Sequence, residues 1–329
     1  MAVLVTGGAG YIGSHTVLEL LDAGERPVVL DDLSTGFRWA VPEGVPFFTG
    51  DDGDEALISD IIARHDITAI IHFAARIVVP ESVADPLGYY LNNTSKARNL
   101  IATAVASGVK RFIFSSTAAV YGDPERQPVT EDVALKPVSP YGRSKLMVEW
   151  MLEDTARAYD FAYVALRYFN VAGADPKGRS GQSSPNATHL IKVAAQTALG
   201  KRESMQVFGT DYPTPDGACV RDYIQVTDLA RAHLDALRYL RDGGESLVAN
   251  CGYAHGFSVL EVIEAVKRVS GVDFRVDYGP RRPGDPAMIV ASNERARKIL
   301  GWKPEHDDLD EIVRQALDWE RKLSEREAG

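Results

Sequence analysis

Short apolar runs alternate with amphipathic segments of helical length through the first half of the chain. The runs are rich in Val, Ile and Phe without alternating polar positions, which indicates strands buried on both faces. They span residues 3–5, 27–30, 46–48, 68–71, 111–114 and 163–166. Helices are predicted between them at 13–23, 55–64, 87–107 and 141–159. This order predicts an α/β fold with a doubly wound parallel sheet, Rossmann-like in architecture.

A glycine-rich loop follows the first predicted strand and leads into the first predicted helix. Gly7, Gly8, Gly10 and Gly13 fit the dinucleotide-binding fingerprint in its required strand–turn–helix context. Gly8 and Gly10 would let the backbone approach a pyrophosphate at the positive end of the helix dipole. A tight turn that needs glycine for its backbone angles alone is the alternative.

Acidic residues close the next two predicted strands. Asp31 and Asp32 lie about 20 residues beyond the loop, where a carboxylate binds the adenosine ribose and repels the extra phosphate of NADP. NAD is therefore the expected cofactor, and Asp31 is the better candidate because one of the pair could cap a turn. Asp51 could approach the adenine or form a plain turn.

Tyr141 and Lys145 are four residues apart, a spacing that places both side chains on one helix face. A tyrosine with a pKa of about 10 needs roughly 4 kcal/mol of phenolate stabilisation to titrate near neutrality. We expect Lys145 and a cationic nicotinamide to supply it in a dry site. Two residues on an exposed helix face would be the bland explanation, and Ser115 and Thr117 could likewise be a polar strand end.

The composition narrows the class of protein. The 329 residues carry 46 acidic and 36 basic side chains, a net charge of -10 that disfavours nucleic-acid and anionic-membrane partners. Cys219 and Cys251 lack metal-site spacing, so we expect free thiols and no metal. With no export signal and no apolar run of membrane-spanning length, we expect a cytoplasmic protein.

The chain divides at the end of the sixth predicted strand. Residues 1–170 form the predicted NAD-binding Rossmann-like domain with the Tyr141 helix. Residues 171–329 form mainly a smaller mixed α/β substrate lobe, with some segments returning to the sheet. A polar loop rich in Gly and Pro opens this lobe, a helix is predicted at 188–199, and later segments are expected to be less regular.

Taken together, these motifs resemble the extended short-chain dehydrogenase/reductases, and within them the UDP-glucose 4-epimerase family. The resemblance spans nearly the whole chain and is most specific at residues 207–217, 220–224 and Asp228. It implies reversible 4-epimerisation of UDP-galactose and UDP-glucose, with tightly bound NAD, a 4-keto sugar and hydride return to the opposite face. It also implies a homodimer formed through the helices at 87–107 and 141–159.

The resemblance assigns roles to individual residues. Tyr141 would be the base, Lys145 would hold the nicotinamide ribose, and Thr117 would bond the reacting oxygen. The implied cofactor set is Gly7, Gly10, Tyr11, Ile12, Gly13, Asp31, Asp32, Asp51, Phe73, Ala74, Asn92, Ser115, Tyr141, Lys145 and Tyr168. The implied UDP-hexose set is Thr117, Asn170, His189, Leu190, Arg221, Arg282 and Asp285. Arginine suits a diphosphate because its planar fork binds oxygens bidentately, whereas Arg281 is expected in a surface salt bridge.

Two positions depart from the family pattern. Ile77 stands where some relatives have a lysine near the cofactor, so either Arg76 substitutes or the contact is missing. His189 stands where some relatives have asparagine, so it either binds the diphosphate or is a buried structural histidine.

Several alternative functions share this scaffold. An epimerase for an N-acetylated or uronic sugar is one, with the sugar pocket gated near Met288 or Ile289. A dehydratase or decarboxylase is less favoured because Ala118 and Ala119 follow Thr117 where dehydratases carry an acidic pair. A non-catalytic NAD-binding protein would not need Tyr141, Lys145 and Thr117 together.

Overall fold

The computed structural model describes residues 1–184, 188–282 and 285–328. Pro283 and Gly284 of the predicted substrate segment, and Gly329, lie outside the described residues. Within the described part, no helix combines the length and apolar character that a bilayer crossing requires. The strands are β1 (Ala2–Thr6), β2 (Arg26–Asp31), β3 (Phe47–Thr49), β4 (Ile67–His72), β5 (Arg111–Ser115), β6 (Ala162–Tyr168), β7 (Asn170–Ala172), β8 (Met205–Phe208), β9 (Val220–Arg221), β10 (Tyr223–Gln225), β11 (Leu247–Cys251), β12 (Phe257–Ser258), β13 (Val276–Gly279) and β14 (Met288–Ile289).

Ten α-helices lie between and beyond these strands in the described residues. They are α1 (Tyr11–Asp22), α2 (Glu55–His65), α3 (Val79–Ala84), α4 (Pro86–Tyr89), α5 (Lys96–Ala106), α6 (Pro140–Ala158), α7 (Leu190–Ala198), α8 (Val226–Arg241), α9 (Val259–Ser270) and α10 (Leu309–Ala328). Two segments are π-helical, Tyr90–Ser95 and Ala296–Leu300.

Seven parallel strands form the central sheet in the order β11-β6-β5-β4-β1-β2-β3. The chain winds outward from β1 to one edge through β2 and β3, and to the other through β4, β5 and β6. The carboxyl ends of β1 and β4 therefore border the crevice in which open α/β sheets bind ligands. The predicted doubly wound parallel fold is confirmed, and all six predicted strands form.

Both faces of the sheet are covered by helices. In β1, Val3 and Val5 point into a core shared with α1 and α8, whereas Ala2 and Leu4 point into a core shared with α2, α5 and α6. All five β1 residues are buried. Burial on both faces explains why these strands carry no polar alternation, and each fully buried Val or Leu contributes about 1.5–3 kcal/mol.

The second half of the chain is more regular than predicted. β11, from the second half of the chain, pairs with β6 and completes the central sheet. Helix α8 packs against α1. Three small sheets, β10-β7, β12-β9-β14 and β13-β8, make up the remaining strands. The division at residue 170 stays a prediction.

Candidate active site

The glycine loop between β1 and α1 is tightly packed. A Cβ on Gly7, whose φ is +70°, would lie 2.6 Å from the Ala74 nitrogen, and one on Gly13 would lie 2.1 Å from the Gly7 oxygen. A Cβ on Gly8 would lie 2.8 Å from Val29 Cγ1, so packing against β2 accounts for glycine at position 8, where ligand approach was predicted. Gly10 caps α1 without a side-chain hydrogen bond, which leaves the positive helix end to a ligand.

Asp31 and Asp32 both hold turns, and Asp31 alone of the two is buried. Asp31 Oδ2 accepts from the Ala9 amide at 2.9 Å and Oδ1 accepts from the Leu33 amide at 2.8 Å. Burial raises the pKa of Asp31, and these two amides oppose that shift. Asp32 Oδ1 accepts from the amide of Ser34 at 2.9 Å on the surface. Asp31 thus ties the glycine loop to β2.

Asp51 is engaged in both a turn and an ion pair. Its Oδ1 accepts from the Gly53 amide at 2.7 Å, and its Oδ2 lies 2.8 Å from Lys96 Nζ. Asp51 therefore forms a turn, its approach to the adenine stays a prediction, and Lys96 is a partner that sequence reasoning missed. Neighbouring Asp52 has a buried Oδ2 with no hydrogen-bond partner, and burial raises its pKa to about 7.

The loop after β4 brings further predicted residues to the crevice. The Phe73 amide donates to Thr6 O at 2.9 Å, which fixes Phe73 and Ala74 against the glycine loop. Asn92 lies in the π-helical segment and donates to Asn93 Oδ1 at 3.1 Å. Asn93, which sequence reasoning missed, also accepts from the Arg76 amide and donates to Ser144 Oγ on α6.

Among the described residues, the Arg76 guanidinium contacts two carboxylates and no group of the cofactor crevice. Its guanidinium lies 2.5 Å from Glu81 and 2.9 Å from Asp85, and it stacks on Tyr89. Ile77 is half exposed. Of the two possibilities for this departure, substitution by Arg76 is therefore disfavoured, because its side chain is already held by two carboxylates.

Tyr141, Lys145, Ser115 and Thr117 meet at the carboxyl ends of β5 and β6. Tyr141 is in the first turn of α6, whose N-cap Ser139 accepts from the amide of Gly142. Lys145 Nζ donates to Ser115 O at 2.8 Å. Both Tyr141 and Lys145 are buried, so the predicted helix face is not a solvent-exposed one.

Burial sets the protonation of this cluster. It raises the pKa of Tyr141, while a hydrogen bond from the Thr117 side chain lowers it. Burial also lowers the pKa of Lys145 to about 7, against the charges of Asp52 and Glu149. In the protein alone, burial therefore holds the Tyr141 pKa above its usual value. That Lys145 and a cationic nicotinamide together bring it towards neutrality stays a prediction.

Tyr168 lies beside this cluster at the end of β6. Its hydroxyl accepts from Ser115 Oγ at 2.8 Å, and burial raises its pKa. The buried ring of His233 on α8 lies 4.7 Å from that of Phe73 and 6.4 Å from that of Tyr168. The rings of Phe73, His233 and Tyr168 thus lie together near the predicted base, Tyr141.

A second cleft joins part of the predicted substrate set to the glycine-loop helix. Tyr11, Asn170, His189 and Leu190 line it together with Gln182. Tyr11 OH donates to Gly173 O at 2.7 Å and so ties α1 to this cleft. Sequence reasoning missed Gln182, whose amide nitrogen lies 3.4 Å from His189 Nδ1.

His189 is the half-buried N-cap residue of α7. Its pKa is lowered, mainly by burial and to a smaller extent by the positive charge of Lys192. It is therefore a neutral donor or acceptor at the positive end of a helix. This placement is compatible with contact to an anion by its side chain or by the backbone.

Of the remaining predicted substrate residues, Arg221 lies on a small sheet, and Arg282 and Asp285 lie between β13 and β14. Arg221 is in β9. The backbone amide of Asn170 donates to the backbone oxygen of Asp222, the residue after Arg221, at 3.0 Å, so the second cleft is joined to the end of β9. Arg282 lies over the Phe208 ring, and the exposed Asp285 donates its amide to Arg282 O. Arg281 pairs with Asp211 at 2.7 Å on the surface, as predicted.

The described residues contain no group of three or more His, Cys, Asp and Glu side chains that could hold a metal ion. The glycine loop, the amino end of α1, which has no capping side chain, and the buried Asp31 fit a dinucleotide. Both cysteines are free and buried.

Comparison with known proteins assigns the chain to a family. Residues 3–252 match the family model described as Epimerase, the NAD dependent epimerase/dehydratase family. The UDP-glucose 4-epimerase of Azospirillum brasilense is 54% identical over 98% of this chain and 93% of its own length. The crystal structure of UDP-glucose 4-epimerase from Brucella ovis in complex with NAD superposes with a TM-score of 0.94 at 44% identity, covering 96% of this chain and 97% of that one.

A third relative broadens the range of sugars. The structure of the UDP-Glc/GlcNAc 4-epimerase from Campylobacter jejuni is 49% identical with a TM-score of 0.86, covering 98% of this chain and 99% of that one. A family match over most of the chain, joined to this fold and these identities, leads to one assignment. The chain belongs to the NAD dependent epimerase/dehydratase family.

Proposed function

We propose that this protein is an NAD-dependent UDP-glucose 4-epimerase that interconverts UDP-galactose and UDP-glucose. The observation that carries the proposal is the buried cluster of Tyr141, Thr117 and Lys145 at the carboxyl edge of a dinucleotide-binding sheet. Relatives about half identical over nearly the whole chain are named for this activity.

NAD, when bound, supplies the capacity to accept a hydride from the sugar C4 and return it to the opposite face of a 4-keto sugar. The protein moves the proton. Tyr141 takes the proton of the 4-hydroxyl and returns it to the same oxygen, so a single phenol serves as base and then acid. The Thr117 hydroxyl forms a hydrogen bond with the reacting oxygen, and Lys145 holds the nicotinamide ribose beside the phenol.

The burial of Tyr141 and Lys145 serves this chemistry. A proton held on a buried phenol exchanges with the sugar oxygen in preference to bulk water, and a dry site strengthens each charge interaction. The same burial makes the phenolate costly, so the oxidised cofactor's positive ring and the Thr117 hydroxyl must stabilise it.

The cofactor contacts follow the crevice. We assign the pyrophosphate to the amino end of α1 at Gly10, Tyr11 and Ile12, with Gly7 and Gly13 shaping the loop. Asp31 takes the adenosine ribose with Asp32 beside it, and Asp51 lies towards the adenine. Phe73, Ala74, Asn92, Ser115 and Tyr168 complete the set.

The substrate contacts involve the second cleft and the small sheets. Asn170, His189 and Leu190 approach the diphosphate at the amino end of α7. Arg221 and Arg282 supply positive charge to the UDP, and Asp285 takes the uridine ribose. Arginine is needed because the protein as a whole is acidic, with a net charge of -10.

An N-acetylated sugar is the second candidate substrate. Ile289 packs with Ala118 and Leu146 next to the catalytic segment, and the Campylobacter jejuni relative is named for both UDP-Glc and UDP-GlcNAc. A branched aliphatic side chain leaves more room than an aromatic one there. A dehydratase is disfavoured because Ala118 and Ala119 bring no acid.

We further propose a homodimer and a cytoplasmic location. Exposed apolar side chains lie on the predicted dimer helices, on α3 and just before α3, namely Ile77, Val79, Val83, Leu87, Leu91 and Trp150. The two free cysteines are compatible with a reducing compartment.

Incubation of the purified protein with UDP-galactose, without added NAD, tests the proposal by following UDP-glucose formation. Conversion at a kcat within about 1–1000 per second is expected, with Tyr141→Phe inactive but retaining NAD. A parallel assay with UDP-GlcNAc tests the second candidate. No conversion of either sugar after NAD is supplied, or full turnover by Tyr141→Phe, would contradict the mechanism.

A further inference from the structure

A buried ion pair lies one helical turn beyond Lys145. Arg167 Nη2 donates to Glu149 Oε2 at 2.6 Å and Arg167 Nε donates to Oε1 at 3.0 Å. Ser116 Oγ also donates to Glu149 Oε1 at 2.5 Å. The Glu149 and Arg167 side chains are 5% and 4% exposed, so the pair is bidentate and shielded from solvent.

The pair joins the three segments that carry the proposed catalytic cluster. Glu149 lies on α6 four residues after Lys145, and therefore on the face that presents Tyr141. Ser116 is flanked by Ser115 and Thr117, and Arg167 directly precedes Tyr168. One carboxylate thus fixes α6 to the ends of both β5 and β6.

Arg167 extends the connection towards the second half of the chain. Its Nη1 donates to Tyr121 OH at 2.9 Å, and Tyr121 OH donates to Asn250 Oδ1 at 2.7 Å on β11. Every polar group of Glu149 and most of those of Arg167 have a hydrogen-bond partner. A satisfied buried pair fixes geometry more than it adds stability, since desolvation offsets much of its attraction.

The charges that surround Lys145 come from several elements. Its own helix contributes Glu149, and the segment after β3 contributes Asp52; both carboxylates favour the protonated lysine against its burial. His72 at the end of β4 is buried, and burial followed by the charge of Lys145 lowers its pKa to about 3, so it adds no positive charge. Arg167 pairs with Glu149, so removal of the carboxylate alone also leaves this buried guanidinium without its counter-charge.

We propose that Glu149 is a positioning residue for the epimerisation. Its carboxylate, held by Arg167 and Ser116, sets α6 against the strand ends that carry Thr117 and Tyr168, and places a negative charge one helical turn from Lys145, where it favours the ammonium form. The inference deepens the proposed function and rests on it.

The pH dependence of turnover tests the charge role. Glu149→Gln keeps the side-chain length and removes the charge, so a neutral lysine would appear at lower pH. The alkaline limb of the kcat profile should move about one unit towards acid, a tenfold loss of kcat on that limb, with KM for UDP-galactose changed less than about twofold. Glu153→Gln, which breaks an exposed pair with Arg157 on the same helix, should leave the profile unchanged.

A second variant guards against misfolding of the first. Glu149→Met combined with Arg167→Met removes both buried charges, an exchange that buried pairs often tolerate. Its alkaline limb should move in the same direction. Glu149→Asp keeps the charge, so its limb should stay where it is in the unchanged protein even where kcat falls.

A readout that needs no sugar separates this proposal from the proposed function. NAD released from the holoenzyme at pH 6, 7, 8 and 9 should rise more steeply with pH in Glu149→Gln than in the unchanged protein. Parallel release curves, or a uniform loss of kcat with both limbs in place, would overturn the role of Glu149. Failure of the unchanged protein to convert UDP-galactose would overturn the proposed function and leave the release comparison standing.

Discussion

Burial acts on Tyr141 and Lys145 in opposite directions. It raises the pKa of the phenol and lowers that of the ammonium to about 7. Both shifts favour the neutral forms, because a charged group loses hydration in the interior. A four-residue spacing therefore brings the right groups together but does not by itself make a base. Added charges and hydrogen bonds around the pair decide its state.

Thr117 is the hydrogen-bond partner that lowers the Tyr141 pKa. Thr117→Val keeps the shape and removes the hydroxyl, so we expect kcat to fall about 10- to 100-fold, the loss of one hydrogen bond to a charged group. Thr117→Ser should retain most of the activity. Steady-state assays with UDP-galactose measure both, and equal activity in Thr117→Val and the unchanged protein would show that the hydroxyl has no role.

Asp52 makes a pH-dependent contribution to stability. Burial raises its pKa from 3.8 to about 7, so the folded state binds its proton more tightly than the unfolded state. The cost is absent below pH 4 and complete above pH 7, about 4 kcal/mol at most at 1.36 kcal/mol per unit. Asp52→Asn should therefore be more stable than the unchanged protein at pH 8, with the gain shrinking towards pH 4.

Urea unfolding at pH 5 and pH 8 checks this expectation, with adjacent Asp51 as the control. Although partial burial raises the Asp51 pKa, the Lys96 ion pair and the Gly53 amide hold it below its usual range. Asp51→Asn should accordingly lose stability at pH 8. A loss in both variants would show that Asp52 is ionised and stabilising.

At the scale of elements, the apolar runs predict the sheet well because burial on both faces leaves a plain signal. The helix at 87–107 forms as α4, a π-helical segment and α5, since Asn92 and Asn93 occupy a widened turn that periodicity does not reveal. α8 has a clear amphipathic pattern but packs on α1, a long-range contact that local sequence does not encode.

The site divides along the same line. Loop glycines, Asp31 and the Tyr141–Lys145 pair are found from local spacing and context. Glu149 and Arg167 are 18 positions apart along the chain, and Gln182 meets His189 seven positions away. Their chemistry depends on pairings between elements, so only the structure reveals them. The i+4 step from Lys145 to Glu149 is the one local signal that could have indicated part of the network.

Glu320 on α10 pairs with two ammonium groups, that of buried Lys192 on α7 and that of partly buried Lys201 just beyond it. Its Oε2 lies 2.8 Å from Lys192 Nζ and its Oε1 lies 2.7 Å from Lys201 Nζ. Although burial raises its pKa, the two lysines hold it below 4.5. The stabilisation is therefore present above pH 4.5 and is lost as pH falls through the folded-state pKa.

Glu320→Gln should lower the free energy of unfolding by about 3–5 kcal/mol at pH 7, because it leaves two partly or fully buried cations without a counter-charge. The difference from the unchanged protein should narrow below pH 4.5. Glu294→Gln, which breaks an exposed pair with Lys298, should cost less than about 1 kcal/mol. Chemical denaturation of the two variants and the unchanged protein measures these free energies. Equal losses in the two variants would show that the Glu320 pairs contribute no more than an exposed ion pair.

At the scale of the whole molecule, the exposed apolar side chains are unevenly distributed. Leu87 and Leu91 are 79% and 63% exposed, and Trp150 on α6 is 53% exposed. On a protein with a net charge of -10, we propose that these side chains form a contact surface between two copies, since exposed apolar patches mark such surfaces. Leu87 lies on α4, Leu91 on the π-helical segment and Trp150 on α6, which also carries Tyr141.

Paired helices from two copies would bury these side chains, and at about 25 cal/mol per Å² of apolar area such a contact can support a stable dimer. Leu87→Glu combined with Leu91→Glu places charges in that contact and should yield monomers in light scattering after gel filtration. Val272→Glu, at an exposed apolar position beyond α9, should leave the mass unchanged. Because α6 spans both the contact and the catalytic cluster, the monomeric variant should also lose activity, whereas a dimer that persists in it would place the interface elsewhere.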